Sequence, residues 1–281
     1  MKHRIIITVL FLVTSIVSFS QKHQIGASIG GGMQTLFYKP TIADHKQGFG
    51  GTISVDYQYF LQKQWSIGSG ICISSYAAKS YIDTSIGEIQ HDDTHNEDFE
   101  YRTTYNEWTE KQNFLQLEIP IAVYYHYEIN KAWNLQCGFG PKVAFPLFNN
   151  YKVKGENYET SGYYESTGVE YKNMPQHGFY TQEANLKGKS DVHIADVQLF
   201  TDLGIAYVIN SSMDIYVGLY CSYGLTSQVN DSNTNLLSAG DYTGMLSSSE
   251  VNSLHNFALG AKVGIQKTIG HTKRTLMNQH R

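Results

Sequence analysis

Cysteine, proline and long apolar runs are scarce in this chain, and each scarcity excludes something. The three cysteines, Cys72, Cys137 and Cys221, are an odd number, too few for the disulfide framework of a small exported domain. They read as small apolar fillers. The only continuously apolar run, Ile5–Val17, falls short of the roughly 20 residues a helical span needs, so the chain has no transmembrane helix. A formal charge of −4 provides no general basic field, which argues against a nucleic-acid partner. No G-x-S-x-G, CxxC or P-loop pattern occurs in its required setting, and the residues assign no catalytic group, no cofactor and no metal ligand.

What is present begins with Lys2, His3 and Arg4, then the apolar run, then Ser18-Phe19-Ser20. That order is a secretory signal peptide over residues 1–20, cleaved between Ser20 and Gln21. No cysteine follows the run, so a lipid anchor is not expected. The exported chain is rich in tyrosine, with 21 copies, and has only five prolines, a balance that favours strands over helices.

Period-two alternation fills the rest. In Phe114–Glu128, FLQLEIPIAVYYHYE, the residues Leu115, Leu117, Ile119, Ile121, Val123, Tyr125 and Tyr127 share one face, and Gln116, Glu118, His126 and Glu128 share the other. One apolar and one polar face at that period mean a strand. Eight such strands can be laid out, near residues 23–37, 49–60, 65–81, 114–128, 133–148, 196–209, 213–226 and 254–269. Their connections alternate between short polar turns and long loops, at about 38–48, 82–111, 149–190 and 227–253. Continuous apolar faces on strands so joined predict an all-β fold, a closed antiparallel up-and-down transmembrane β-barrel of the outer membrane over residues 21–270. A basic tail, 271–281, follows in the periplasm. Short turns on the periplasmic side place both termini there. Trp65, Tyr125, Tyr127, Trp133 and Tyr207 lie near the short turns, as an interfacial aromatic belt requires.

The face opposite the apolar one carries Asp56, Glu118, Glu128, Lys142, Asp202, Asp214 and Lys262, the composition of a cramped polar lumen. Eight strands leave an interior just wide enough for their own side chains, so these groups form a structural network, with Glu118 and Lys142 paired across their hairpin. Pro120 and Pro141 fall at one level of neighbouring strands and suggest a β-bulge.

The runs Phe114–Ile121, Cys137-Gly138-Phe139-Gly140-Pro141 and Asp202-Leu203-Gly204-Ile205-Ala206-Tyr207 resemble the PorT-like, OmpX-like outer-membrane β-barrels of Bacteroidetes-type bacteria. The resemblance spans nearly the whole exported chain. It implies a small integral barrel, in a few members serving protein secretion, and carries over no catalytic residue.

Function is then sought in the long loops. Tyr158, Tyr163, Tyr164, Tyr171 and Trp108 are candidate contact residues, because tyrosines among Gly, Ser and Asn make adaptable binding surfaces. The acidic run from Asp83 to Glu110 contains His91-Asp92-Asp93-Thr94-His95, whose spacing matches no metal-site signature. The expectation is a surface binding, adhesion or envelope-assembly protein. Its partners are outer-membrane lipid and lipopolysaccharide, an extracellular protein or glycan, and the barrel-assembly machinery. A lipid-modifying enzyme and a narrow channel are the alternatives; His126, without an obvious serine partner, argues against the enzyme.

Overall fold

The structure is a computed structural model and describes residues 22–270 apart from 93–95, 184, 231–234 and 239–240. The signal peptide with its Ser20–Gln21 cleavage point, and the tail 271–281, lie outside the described residues.

Eight strands form a ring: β1 (His23–Pro40), β2 (Gly50–Phe60), β3 (Trp65–Asp92), β4 (Glu97–Glu128), β5 (Trp133–Lys154), β6 (Asp196–Val208), β7 (Met213–Gly224) and β8 (Val251–Ile269). Each pairs antiparallel with the next. The ring closes where β1 meets β8, from His23 opposite Ile269 to Tyr38 opposite Leu254. Closure is what a membrane demands, since an open edge in hydrocarbon would leave unpaired N–H and C=O groups at several kcal/mol each.

The short turns are set by side chains. In the β4–β5 turn Asn130 Oδ1 accepts the N–H of Ala132 at 2.9 Å and of Trp133 at 3.0 Å. In the β6–β7 turn Asn210 Oδ1 accepts from Ser212 and Met213 in the same way. An Asn folding back on its own backbone is the chemistry that favours this residue in tight turns. Just inside these turns, Trp65 packs on Tyr125 with ring centroids 4.9 Å apart and Trp133 on Tyr207 at 4.8 Å, the start of an aromatic girdle.

Facing is settled by burial. Ile29, Ile53, Ile121 and Leu219 are each 60% exposed or more, whereas Gln24, Gln58, Gln116, Gln136 and Gln198 are at most 5% exposed. A water-soluble barrel reverses that arrangement, since each half-exposed Ile would forgo roughly 1 kcal/mol of burial. The apolar wall therefore faces lipid.

Within the lumen Lys142 Nζ lies 2.7 Å from Glu118 Oε2, and Tyr76 donates to the other carboxylate oxygen at 2.7 Å. Lys142 stands opposite Pro120 and Glu118 opposite Ala144, so the pair closes one diagonal step away. Lys262 pairs with Asp202, which also accepts from Tyr216 at 2.5 Å. Asp56 and the buried Asp214 point inward too. Glu128 does not: it is exposed beside the β4–β5 turn and pairs with Lys63 at 3.2 Å, because its strand ends there. Glycines make room for this filling. A Cβ on Gly138 would stand 2.5 Å from the Tyr124 ring. The cavity left among Asp56, Asp202, Lys262 and the glutamines measures about 20 Å³, room for about one water.

Three expectations are corrected. Residues 82–92 and 97–111 are strand, not loop: β3 and β4 continue as a hairpin to Asp92 opposite Glu97. Acidic residues disguised an alternation that Tyr101, Thr103 and Tyr105 carry. The strands bearing Pro120 and Pro141 keep one register through that level, and the irregularity falls at Leu115/Gln116, opposite Phe148 and Pro146. Finally, the described residues of the 227–253 connection fold inward. Val229, Leu236, Met245 and Leu246 join Leu36, Tyr38, Tyr76, Ile82, Trp108 and Phe114 in a buried apolar cluster at the long-loop end, which caps the polar lumen.

Candidate functional site

Above the apolar wall the β3–β4 hairpin stands free of the ring and recruits further short strands. Residues Glu100–Asn106 of β4 pair with Asn157–Tyr164, which in turn pairs with Val169–Tyr171 and Thr181–Glu183. The hairpin stays in the ring as far as Ile82 opposite Trp108, then slips by one residue, so that Thr84 faces Tyr105. The extra residue of this bulge includes Glu107 at φ 48, and a bulge bends its strand.

The bent hairpin bounds a cup of about 290 Å³ at the mouth. One wall is Ile86, Glu88 and Gln90 of β3 with Tyr101, Thr103 and Tyr105 of β4. A second is a single 3₁₀ turn, Pro175–His177, followed by Gly178 and Tyr180. The third is Leu236, Leu237 and Glu250 from the inward-folded connection. Gly178 adopts φ 81, open to glycine but strained for other residues. Its carbonyl accepts from Tyr101 at 3.1 Å and from Thr160 at 2.7 Å, which holds the turn over the cup.

Glu88 and Glu250 are the charged groups of the lining. Asn235 donates to Glu88 at 2.8 Å, and no ion pair engages either carboxylate among the described residues. Burial, with the nearby Glu88 charge second, pushes the Glu250 carboxyl above its ordinary range. A cup of three tyrosines and two carboxylates lacking a fixed cation is complementary to a small positive group, which can sit over ring faces while its N–H bonds go to carboxylates.

The floor is held by Glu110, fully buried and above the apolar wall. Its carboxylate accepts from Tyr242, from Gln112 and from the Met245 N–H at 3.1 Å. Burial pushes this carboxyl up to about 7, against the lowering effect of the three hydrogen bonds.

Two of the five candidate contact residues pack behind the lining, Trp108 against Tyr105 and Tyr158 against Tyr180. Trp108 is 0% exposed and Tyr158 1%; their rings meet edge to face at 5.5 Å, and Trp108 Nε1 donates to Tyr242 at 3.3 Å. They are struts, not contact surface, because both fall on the inner face of their strands. Tyr163 lies under the Arg102 guanidinium at 4.0 Å, and Tyr164 stacks on Phe99 at 5.1 Å. Tyr171 is 41% exposed and packs on Tyr164 at 5.5 Å. None of the five lines the cup. Of the residues that do, Glu88 and Tyr180 stood in the acidic and tyrosine-rich runs, whereas Tyr101, Tyr105, His177 and Glu250 were not singled out. The period-two spacing of Tyr101, Thr103 and Tyr105 was the available signal.

His91 pairs with Asp98 at 2.6 Å near the hairpin tip, whereas 93–95 lie outside the described residues. No cluster of three metal-ligating side chains forms among the described residues. His126 does have a serine partner, correcting the reading from sequence: its Nε2 is 2.8 Å from Ser66 Oγ, which donates to Gln58 at 3.0 Å. Ser66 is fully buried in the lumen, and these contacts give the pair no carboxylate orienter.

A closed ring with an apolar outer wall and a polar filled lumen defines an integral outer-membrane β-barrel. The chain belongs to the family described as outer membrane protein beta-barrel domain, whose model matches residues 19–230. No curated protein matches it in sequence. Among solved structures it is similar to OprG of Pseudomonas aeruginosa, at 9% identity and a TM-score of 0.40 over 90% of this chain and 97% of that one. It is also similar to a major outer membrane protein of Thermus thermophilus, at 12% identity and 0.38 over 88% and 99%. A third is Ail, the attachment invasion locus protein of Yersinia pestis, solved with the heparin analogue sucrose octasulfate, at 8% identity and 0.36 over 89% and 100%.

Proposed function

We propose that this barrel is a surface-recognition protein, anchored by its lipid-facing wall and acting through the cup at its long-loop end. That end faces outside and both termini face the periplasm, in keeping with short periplasmic turns in such barrels. The carrying observation is the cup itself, with Tyr101, Tyr105 and Tyr180 around Glu88 and Glu250. Its chemistry favours a partner presenting a lysine or arginine side chain or another organic ammonium group. Within the family, the Phe114–Ile121 strand supports a PorT-like assignment, and an envelope-assembly partner would dock on the same rim.

The test is a screen of purified barrel in detergent against basic peptides, polyamines and neutral glycans, followed by titration of any ligand found. The variant carrying Tyr101→Ala, Glu88→Gln and Glu250→Gln is expected to bind the basic ligand about a hundredfold more weakly, from one cation–π contact and two charge-assisted bonds. Unchanged affinity in the variant, or a ligand set confined to neutral glycans, would overturn the reading.

A further inference from the structure

Five lysines stand side by side on the outer wall. Lys46, in the short strand Asp44–Gln47, is directly opposite Lys79 of β3. Lys79 is opposite Lys111 of β4, Lys111 opposite Lys152 of β5, and Lys152 opposite Lys187 in the short strand Lys187–Lys189. All five side chains are exposed. At roughly 4.8 Å between strands the row runs about 19 Å around the barrel, and at a strand tilt of roughly 40° its two ends differ in height by about 12 Å, with Lys111 at the middle. Like charges placed directly opposite destabilise a sheet, and an ordinary solvated surface intersperses both signs. Here none of the five has an ion pair among the described residues. Such a row needs anions from elsewhere.

Height says where they come from. Below the lysines lie Ala77, Asn113 and Asn150, and below those Ser75, Leu115 and Phe148, where the apolar wall begins. Four residues from Leu115 to Lys111 are about 13 Å of strand, or about 10 Å of height at a barrel tilt of roughly 40°. A headgroup layer is roughly 5 to 8 Å thick on each side of the hydrocarbon, and a lysine stem reaches back into it. The row is also one-sided. The corresponding edge of β6 and β7 is Leu199, Tyr223 and Leu225, each more than a third exposed, with no lysine in either strand.

We propose that Lys46, Lys79, Lys111, Lys152 and Lys187 form a binding site for the phosphate groups of a phosphorylated outer-leaflet glycolipid of the lipid A type. The site holds the lipid against the β3–β5 side of the wall, below the free-standing hairpin. It depends on the outward orientation proposed above and not on the cup. Held lipid would neutralise the row and fix the hairpin's height over the membrane surface.

The experiment is native mass spectrometry of the whole purified barrel in neutral detergent, titrated with diphosphoryl lipid A, with the same lipid dephosphorylated, and with inorganic phosphate. Diphosphoryl lipid A is expected to bind in preference to both others and to lose affinity as salt rises. The triple variant Lys79→Gln, Lys111→Gln and Lys152→Gln is expected to bind about a hundredfold more weakly, given the attraction of each lysine to an anionic surface. Heat-modifiable migration on gels checks that the variant is folded. If the triple variant fails to fold, Lys111→Gln and Lys152→Gln singly are expected to lose about fivefold each. The cup variant should bind the lipid as the native chain does, which separates failure of one proposal from failure of the other. Equal retention of dephosphorylated lipid, or undiminished binding by the lysine variants, would overturn the site.

Discussion

At the scale of single residues, Glu110 is the most consequential group outside the membrane. Its carboxyl is raised to about 7 by burial, so the folded state favours the neutral form. The stability this gives is fully present below the ordinary value near 4.5, and it is lost as pH rises through about 7. The difference is about 3 kcal/mol at most. Because Glu110 accepts from Tyr242 and Met245, the cost falls on the docking of the inward-folded connection. Hydrogen exchange over residues 242–251 is expected to show weaker protection at pH 8 than at pH 5 after correction for intrinsic rates. Glu110→Gln should abolish that difference while leaving the connection docked. A pH response persisting in the glutamine variant would place its origin elsewhere.

At the scale of elements, the free-standing β3–β4 hairpin organises the whole rim. It supplies a wall of the cup and the long edge on which Asn157–Tyr164 pairs, and that segment in turn carries two shorter strands. Removing residues 85–104 and rejoining the strands with a short turn should leave the eight-stranded ring intact, because its pairings lie below Ile82 and Trp108. The barrel should keep its heat-modifiable migration, while residues 155–183, which hang on the hairpin edge, become cleavable by added protease. Continued resistance of 155–183 would mean that the rim holds itself together. The difficulty of reading this hairpin from sequence is physical. Strands that extend beyond the membrane have no lipid-facing side to force strict alternation, and Glu97, Asp98, Glu100 and Glu107 mask the short alternation of Tyr101, Thr103 and Tyr105 so that the stretch resembles a charged loop. Phe114–Glu128 was legible because lipid on one side and a polar lumen on the other force strict alternation.

At the scale of the whole molecule, the filled interior decides what the barrel can transport. Glu118 with Lys142, and Asp202 with Lys262, occupy its width. The apolar cluster around Trp108, Met245 and Leu246 closes one end, and the polar gap that remains is about 20 Å³. The purified protein is expected to give no steady ion conductance in planar lipid bilayers. Reproducible unit currents would show that the inward-folded connection opens. Taken with the external cup and the lysine row, the filled lumen directs attention to the rim and the wall.

The sequence by itself determined the strand count, the short polar turns and the membrane class. All of these follow from local chemistry repeated at a period of two. Only the tertiary structure decided how the rim is built. The cup joins residues 86–105, 177–180 and 236–250, and the lysine row joins residues 46 to 187. Those proximities are set by strand register and by the burial of Val229, Leu236, Met245 and Leu246, hydrophobic residues whose irregular spacing leaves no periodic trace along the chain.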